Sequence, residues 1–260
     1  MEKPLILVTN DDGITAMGIR ALVEVACEIG EVVVVAPDSP QSGMGHAITI
    51  HNPLRLHKSL AFDQLEAYEC SGTPVDCVKL AKNVVLKDRK IDLCVSGINH
   101  GSNASINIIY SGTLSAAMEA SLEGIPSIGF SLLDYNHNAN FEPCKPFVAK
   151  LMRHVIKNGL QEGSLLNVNI PNLPGDEIKG LMVCRQAEAR WIEEFQEARD
   201  PRGQKYYWLT GKFVNDDHHS QDTDVWALDN GFISVVPSKH DLTNYSAIPA
   251  LKTSLNNHAI

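Results

Sequence analysis

The chain has 260 residues, a net charge of −9, 44% hydrophobic and 20% charged residues, the proportions of a globular protein with a substantial interior. The negative balance excludes non-specific attachment to nucleic acid backbones or anionic membrane surfaces, while leaving room for a small anion beside a metal ion. No apolar stretch reaches the length of a membrane span, the N-terminus lacks a signal-peptide pattern, and the six cysteines are scattered with no metal or disulfide spacing, so a cytoplasmic protein is expected.

In chain order, Leu5 to Val8 predicts a first strand, apolar throughout and therefore buried on both faces; it runs into Thr9-Asn10-Asp11-Asp12-Gly13. Met17 to Ile29 has helical spacing, with Ile19, Leu22, Val23 and Ala26 on one face and Gly30 after the end. Glu31 to Ala36 is a Val-rich second strand stopped by Pro37, and Ile48 to Ile50 and Leu65 to Cys70 read as further strands. Pro74 to Leu80 begins a helix, since a missing N–H is harmless in the first turn and Asp76 suits the positive end of the dipole.

Ile91 to Ser96 is another buried strand, ending in a loop rich in glycine and asparagine. Ser115 to Leu122 reads as a helix of small residues, Pro126 to Phe130 as a strand, Phe147 to Ile156 as a helix and Leu165 to Ile170 as a strand. Such alternation is the signature of an α/β fold with a doubly wound, mostly parallel sheet. Past about residue 185 the character changes. Trp191, Phe195, Tyr206, Tyr207, Trp208 and Phe213 are interleaved with polar and charged residues, which predicts exposed or intersubunit hairpins. Because the chain, at a net charge of −9, lacks the basic residues that a nucleic-acid groove requires, this arm is expected to meet a partner subunit rather than nucleobases. A polar stretch from Asn215 to Asp224, a strand-like Phe232 to Val236 and a polar tail follow. The division expected is one unit over 1–260, with a core roughly 1–185 and an oligomerisation extension roughly 186–260.

Three loops carry the chemistry: Asn10 to Gly13; Pro37 to Gly45, which includes Ser42 and Gly43; and Ser96 to Asn103, which leads to Tyr110-Ser111-Gly112-Thr113. Each follows a predicted parallel strand, so the three meet at one edge of the sheet. They offer carboxylates, amides, hydroxyls and backbone N–H groups, a donor set for Mg²⁺, Mn²⁺ or Ca²⁺ rather than Zn²⁺ or copper. Adjacent carboxylates repel unless a positive charge lies between them. Ser111-Gly112-Thr113 at a helix start offers an anion site, and a phosphate held there beside a metal is set up for hydrolysis.

Blander readings exist for each. Asp11-Asp12 can form a turn with a helix cap, Ser42 can be a loop hydroxyl, Asn99 can serve a left-handed conformation, Asn103 can bond its own loop, and Ser111 to Thr113 can be only a cap. His46 and His100 are read as structural or solvated and stay outside the catalytic set. Asp76 is read as a first-turn helix residue, and Asp224 and Asp241 as serving the C-terminal extension.

TNDDG at 9–13, AP…QSGMGHAIT at 36–49, SGTPVDCV at 71–78, SGINHGSN at 96–103, YSGT…AAMEA at 110–120 and GFISVVP…DLT at 231–243 together resemble the SurE family, the survival protein E 5′/3′-nucleotidases, over nearly the whole chain. The resemblance implies a Rossmann-like three-layer core with a C-terminal hairpin or arm that exchanges between subunits to form a homodimer or homotetramer. It implies one divalent metal ion per subunit, Mg²⁺ or Mn²⁺, bound by Asp11, Asp12, Ser42 and Asn99. The expected reaction is hydrolysis of nucleoside 5′- and 3′-monophosphates, extending to short polyphosphate, with Asp11 or Asp12 accepting a proton from water. Asn10, Gly43, Asn103, Ser111, Gly112 and Thr113 are the expected substrate contacts. Nucleic acid polymers and membranes are not expected partners.

The family often has glycine where Ser105 and Ala120 stand and acidic residues near Ile106 and Asn107, which bears on substrate preference. The alternative is a metal-dependent nucleotide sensor without turnover. A dinucleotide-dependent oxidoreductase is disfavoured, because Asn10-Asp11-Asp12-Gly13 lacks GxGxxG spacing and puts negative charge where a pyrophosphate would lie.

Overall fold

A computed structural model describes residues 3–256. Strand β1 (Leu5–Thr9) is followed by helix α1 (Met17–Cys27), β2 (Glu31–Pro37), β3 (Leu56–Lys58), β4 (Glu66–Cys70), α2 (Pro74–Leu80), β5 (Leu93–His100), α3 (Gly112–Leu122), β6 (Ser127–Leu132), α4 (Lys145–Asn158), β7 (Ser164–Ile170) and β8 (Leu181–Val183). Then come β9 (Ala189–Arg199), β10 (Lys205–Asn215), α5 (Asp224–Asp229), β11 (Ile233–Lys239) and α6 (Ile248–Asn256). The main sheet has the order β3-β4-β2-β1-β5-β6-β7-β11-β8, and β9 with β10 forms a separate antiparallel hairpin. From β4 through β7 every neighbouring pair is parallel. The mostly parallel α/β sheet and the C-terminal hairpin are both as the sequence led one to expect.

The side-chain alternation of β1 divides the core into two layers. Ile6 and Val8 pack with Ile19 and Leu22 of α1 and Val148 and Met152 of α4. Leu5 and Leu7 pack on the other face with Cys77 and Val78 of α2 and Ala116 and Ala120 of α3. The strand order reverses at β1: the chain proceeds outward through β2 and β4, then crosses back to place β5 on the other side. The carboxyl ends of β1 and β5 are therefore adjacent at a topological switch point, the usual crevice for a ligand in an open α/β sheet.

Helix α2 starts as its sequence dictates. Pro74 is in the first turn, and Thr73 and Asp76 form a reciprocal capping box. Five expectations need correction. Ile48 to Ile50 is not a strand: Ile48 and Ile50 are exposed by 49% and 73%, and the Thr49 N–H donates to the Asp76 carboxylate at 3.1 Å instead of a ladder. Apolar alternation makes a strand only where an edge is available to pair. The loop expected from Ser96 begins later, because β5 continues to His100 through a register shift against β6 between Ser96 and Asn99. Helix α3 begins at Gly112 instead of Ser115, and α1 ends at Cys27 instead of Ile29. The tail expected to be merely polar contains α6.

After the hairpin the chain returns to the core, and β11 lies antiparallel to β7 and parallel to β8.

The first turn of α1 lies directly against β5: a Cβ added at Gly18 would sit 1.9 Å from the Ile98 carbonyl oxygen. Gly18→Ala is expected to lower stability by at least about 1–3 kcal/mol through this overpacking, read as the midpoint shift in chemical denaturation. An unchanged midpoint would show that the helix can move away freely.

Candidate active site at the carboxyl ends of β1 and β5

Asn10, Asp11 and Asp12 leave the end of β1 in sequence and face three different surroundings. Asn10 is 1% exposed; its side-chain nitrogen donates to the Gly13 carbonyl at 2.9 Å, while its side-chain oxygen is buried without a hydrogen-bond partner. Asp11 is buried against the start of α3, where the Thr113 hydroxyl donates to its Oδ1. A Cβ at Gly112 would lie 2.7 Å from the Asp11 Cβ and 3.0 Å from its Oδ2, so only glycine admits the carboxylate this close to the helix end. Burial pushes the Asp11 carboxyl from 3.8 to about 6, against the Thr113 hydrogen bond that lowers it, and the neighbouring Asp12 adds to the rise.

Asp12 is partly exposed and faces β5. Its Oδ2 is 3.0 Å from His100 Nδ1 and 3.4 Å from the His100 backbone nitrogen. Hydrogen bonding to Asp12 holds the His100 imidazole above its ordinary pKa, in opposition to burial. The ring stands edge-on to Phe141, with centroids 5.1 Å apart, and its Nε2 is buried without a partner. Sequence reasoning left His100 out of the site. The one available signal was its place next to Asn99, and a histidine following a candidate ligand has many ordinary explanations.

The remaining residues divide by what their side chains already bond. Asn99 directs its amide nitrogen to the carbonyls of His100 and Gly101 at 3.1 and 3.0 Å, leaving the amide oxygen without a hydrogen bond among the described residues. Ser42 and Gly43 are exposed on the loop after β2, which is pinned just before them by the Gln41 N–H donating to the Asp11 carbonyl at 2.8 Å. Asn103 is 6% exposed and is turned inward: its Nδ2 donates to Ser131 Oγ and its N–H to Asn169 Oδ1, both at 2.8 Å, and its carbonyl accepts from Asn167. Ser111 caps α3, its Oγ accepting the Leu114 N–H at 3.0 Å, and Thr113 serves Asp11. The helix start expected to hold an anion already holds one, the Asp11 carboxylate.

Among the described residues no lysine or arginine pairs with Asp11 or Asp12, and no group of three or more His, Cys, Asp or Glu side chains is arranged to hold a metal ion. The donor set here has only two carboxylates, with hydroxyl and amide oxygens beside them. Two neighbouring carboxylates without a lysine or arginine, one of them buried, and an orphaned buried amide oxygen together fit a hard divalent cation.

In metal-free protein, a folded-state rise from 3.8 to about 6 for Asp11 corresponds to roughly 3 kcal/mol. The protonated carboxyl is the one favoured in the folded state, so this stability is present below about pH 4 and is lost as pH rises through about 6. Asp11→Asn, measured by denaturation with chelator present, is expected to remove most of that decline and to be the more stable protein at pH 8. Identical pH dependence in the two proteins would contradict the burial assigned to Asp11.

The profile of the family described as "Survival protein SurE" matches residues 6–193. A Flavobacterium johnsoniae protein described as "5′-nucleotidase SurE" is 62% identical over 253 residues, 97% of each chain. A Bacteroides thetaiotaomicron protein of the same description is 45% identical over 250 residues, 96% of this chain and 95% of its own. The crystal structure of the SurE protein from Aquifex aeolicus is similar in fold, with a TM-score of 0.83 and 42% identity, covering 97% of this chain and all of that one.

Proposed function

The chain belongs to the survival protein SurE family, and on that premise we propose that it is a divalent-metal-dependent nucleotidase that releases phosphate from nucleoside 5′-monophosphates. The observation that carries this reading is the Asp11-Asp12 pair: a buried carboxylate and its partly exposed neighbour at a sheet switch point, with His100 on Asp12 and, among the described residues, no lysine or arginine to balance them. The same pocket is proposed to accept nucleoside 3′-monophosphates and short polyphosphates, because its polar groups address phosphate and not a base.

Asp11, Asp12, Ser42 and Asn99 would hold one Mg²⁺ or Mn²⁺. When bound, such an ion supplies Lewis acidity toward a phosphoryl oxygen and lowers the pKa of water beside it. The chain's own residues do the rest. Thr113 and the start of α3 position Asp11 and oppose the burial that raises its pKa. His100 orients Asp12, the more exposed carboxylate, which is placed to accept a proton from water. Gly43 and Gly112 would bring backbone close to the phosphate, and the buried, unpartnered Asn10 side-chain oxygen is a further donor atom beside Asp11 in sequence. Ser111 and Asn103 act on this reading by fixing the helix start and the loop after β5.

Among the described residues no helix is long and apolar enough to cross a membrane. The hairpin exposes Trp191, Phe195, Tyr207 and Trp208 by 41–66%, which supports assembly into a homodimer or homotetramer by exchange of this arm.

Purified protein with Mg²⁺ or Mn²⁺ is expected to release phosphate from nucleoside monophosphates, with chelator abolishing the activity and Asp11→Asn lowering it by at least about a hundredfold. Binding of nucleotide with metal but no phosphate release would replace the enzyme by a sensor, and release unaffected by chelator would remove the metal from the account. Replacing residues 190–214 by a short turn is expected to leave a monomer in light scattering; retention of the native size would exclude the hairpin as the assembly element.

A further inference from the structure

The loop from Pro37 to Ile50 supplies Ser42, which lies between two backbone pins, the Gln41 N–H on the Asp11 carbonyl at 2.8 Å and the Gly45 N–H on the Tyr110 carbonyl at 3.2 Å. Ser42, Gly43 and Met44 are exposed, and within residues 42–46 only one side chain, His46, hydrogen-bonds to the rest of the described protein. Its Nε2 lies 2.9 Å from Oε2 of Glu119. Glu119 is 4% exposed and stands on α3, two turns beyond the helix start that holds Asp11. Its other oxygen accepts from Lys79 of α2. A buried carboxylate without partners is strongly disfavoured, so Glu119 requires these two cationic or donor neighbours, and in return it ties the loop to α3 and α2. The backbone beyond His46 is pinned too, where the Thr73 hydroxyl donates to the Ala47 carbonyl at 2.7 Å.

We propose that His46 is a positioning residue for the cation site: its bond to Glu119 fixes the exposed turn carrying Ser42 at a set distance from Asp11. This rests on the metal reading above. Helix α3 is then a ruler with two marks, Thr113 on Asp11 at its first turn and Glu119 on the Ser42 loop farther along. Metal affinity depends on both marks being read at once, because a ligand on a freely moving turn must be ordered when the ion binds.

The test is Mn²⁺ binding without substrate, by titration calorimetry, on wild type, His46→Ala, His46→Gln and Lys79→Met, with unfolding midpoints recorded in chelator. His46→Ala is expected to bind Mn²⁺ about tenfold more weakly, as befits loss of a hydrogen bond to a charged group. His46→Gln, which keeps a donor to Glu119, is expected to recover most of that affinity. Lys79→Met disturbs the same buried carboxylate but leaves the loop attached, and is expected to retain wild-type affinity. His46→Ala binding like wild type, or Lys79→Met weakened as much as His46→Ala, would overturn the positioning role while leaving the cation site standing. Wild-type protein that takes up no Mn²⁺ would overturn both.

Discussion

A carboxylate buried at the start of a helix governs the rest of this site. Asp11 enters the protein where water cannot solvate it, and what holds it there is the Thr113 hydroxyl and the positive end of α3. Those contacts are not enough to keep its pKa ordinary, since Asp12 follows immediately with the same charge. The imbalance is local and oriented: negative charge and an unpartnered amide oxygen converge at the rim of the sheet. A net charge of −9 over the chain says nothing about this, because the field that matters is set within a few ångströms in low dielectric.

The sheet topology makes the convergence possible. Only because β5 lies beside β1, and not beyond β4, does His100, with Asn99 next to it in sequence, reach the loop of Asp11 and Asp12. Helix α3 then comes back to the same point through Gly112, whose lack of a side chain sets the distance of approach. The residues come from the ends of several elements, so precision depends on how those elements pack rather than on any one loop.

Buried polar groups supply that packing. Asn103, Ser131, Asn167 and Asn169 form a connected network beneath the loop after β5, and such networks specify geometry when their members are satisfied. Asp224, at the start of α5, is fully buried and accepts the backbone N–H groups of Ser105, Ala187 and Val225. It joins the segment leading to α3 with the root of the hairpin, and Trp191 makes a second link through Asn107 at 2.8 Å. The arm and the site therefore share a foundation, although they are far apart in sequence.

By itself the sequence determined the strands at Leu5 to Val8 and Glu31 to Ala36, each of which runs one residue further in the structure, the start of α2 at Pro74 and the identity of the Asp-Asp motif. Each of these rests on local chemistry: apolar runs, proline's missing N–H, a carboxylate at a helix start. It also announced the hairpin, since Trp191, Phe195, Tyr206, Tyr207, Trp208 and Phe213 are interleaved with charged and polar residues. What only the tertiary structure decided was which side chains already have partners. Ile48 to Ile50 has strand composition but found no edge, Asn103 turned inward, Ser111 became a cap, and His100 came to face Asp12 across two strands. Those outcomes depend on pairings between residues tens of positions apart, and no local pattern encodes where a hydrogen bond will go once the backbone has folded.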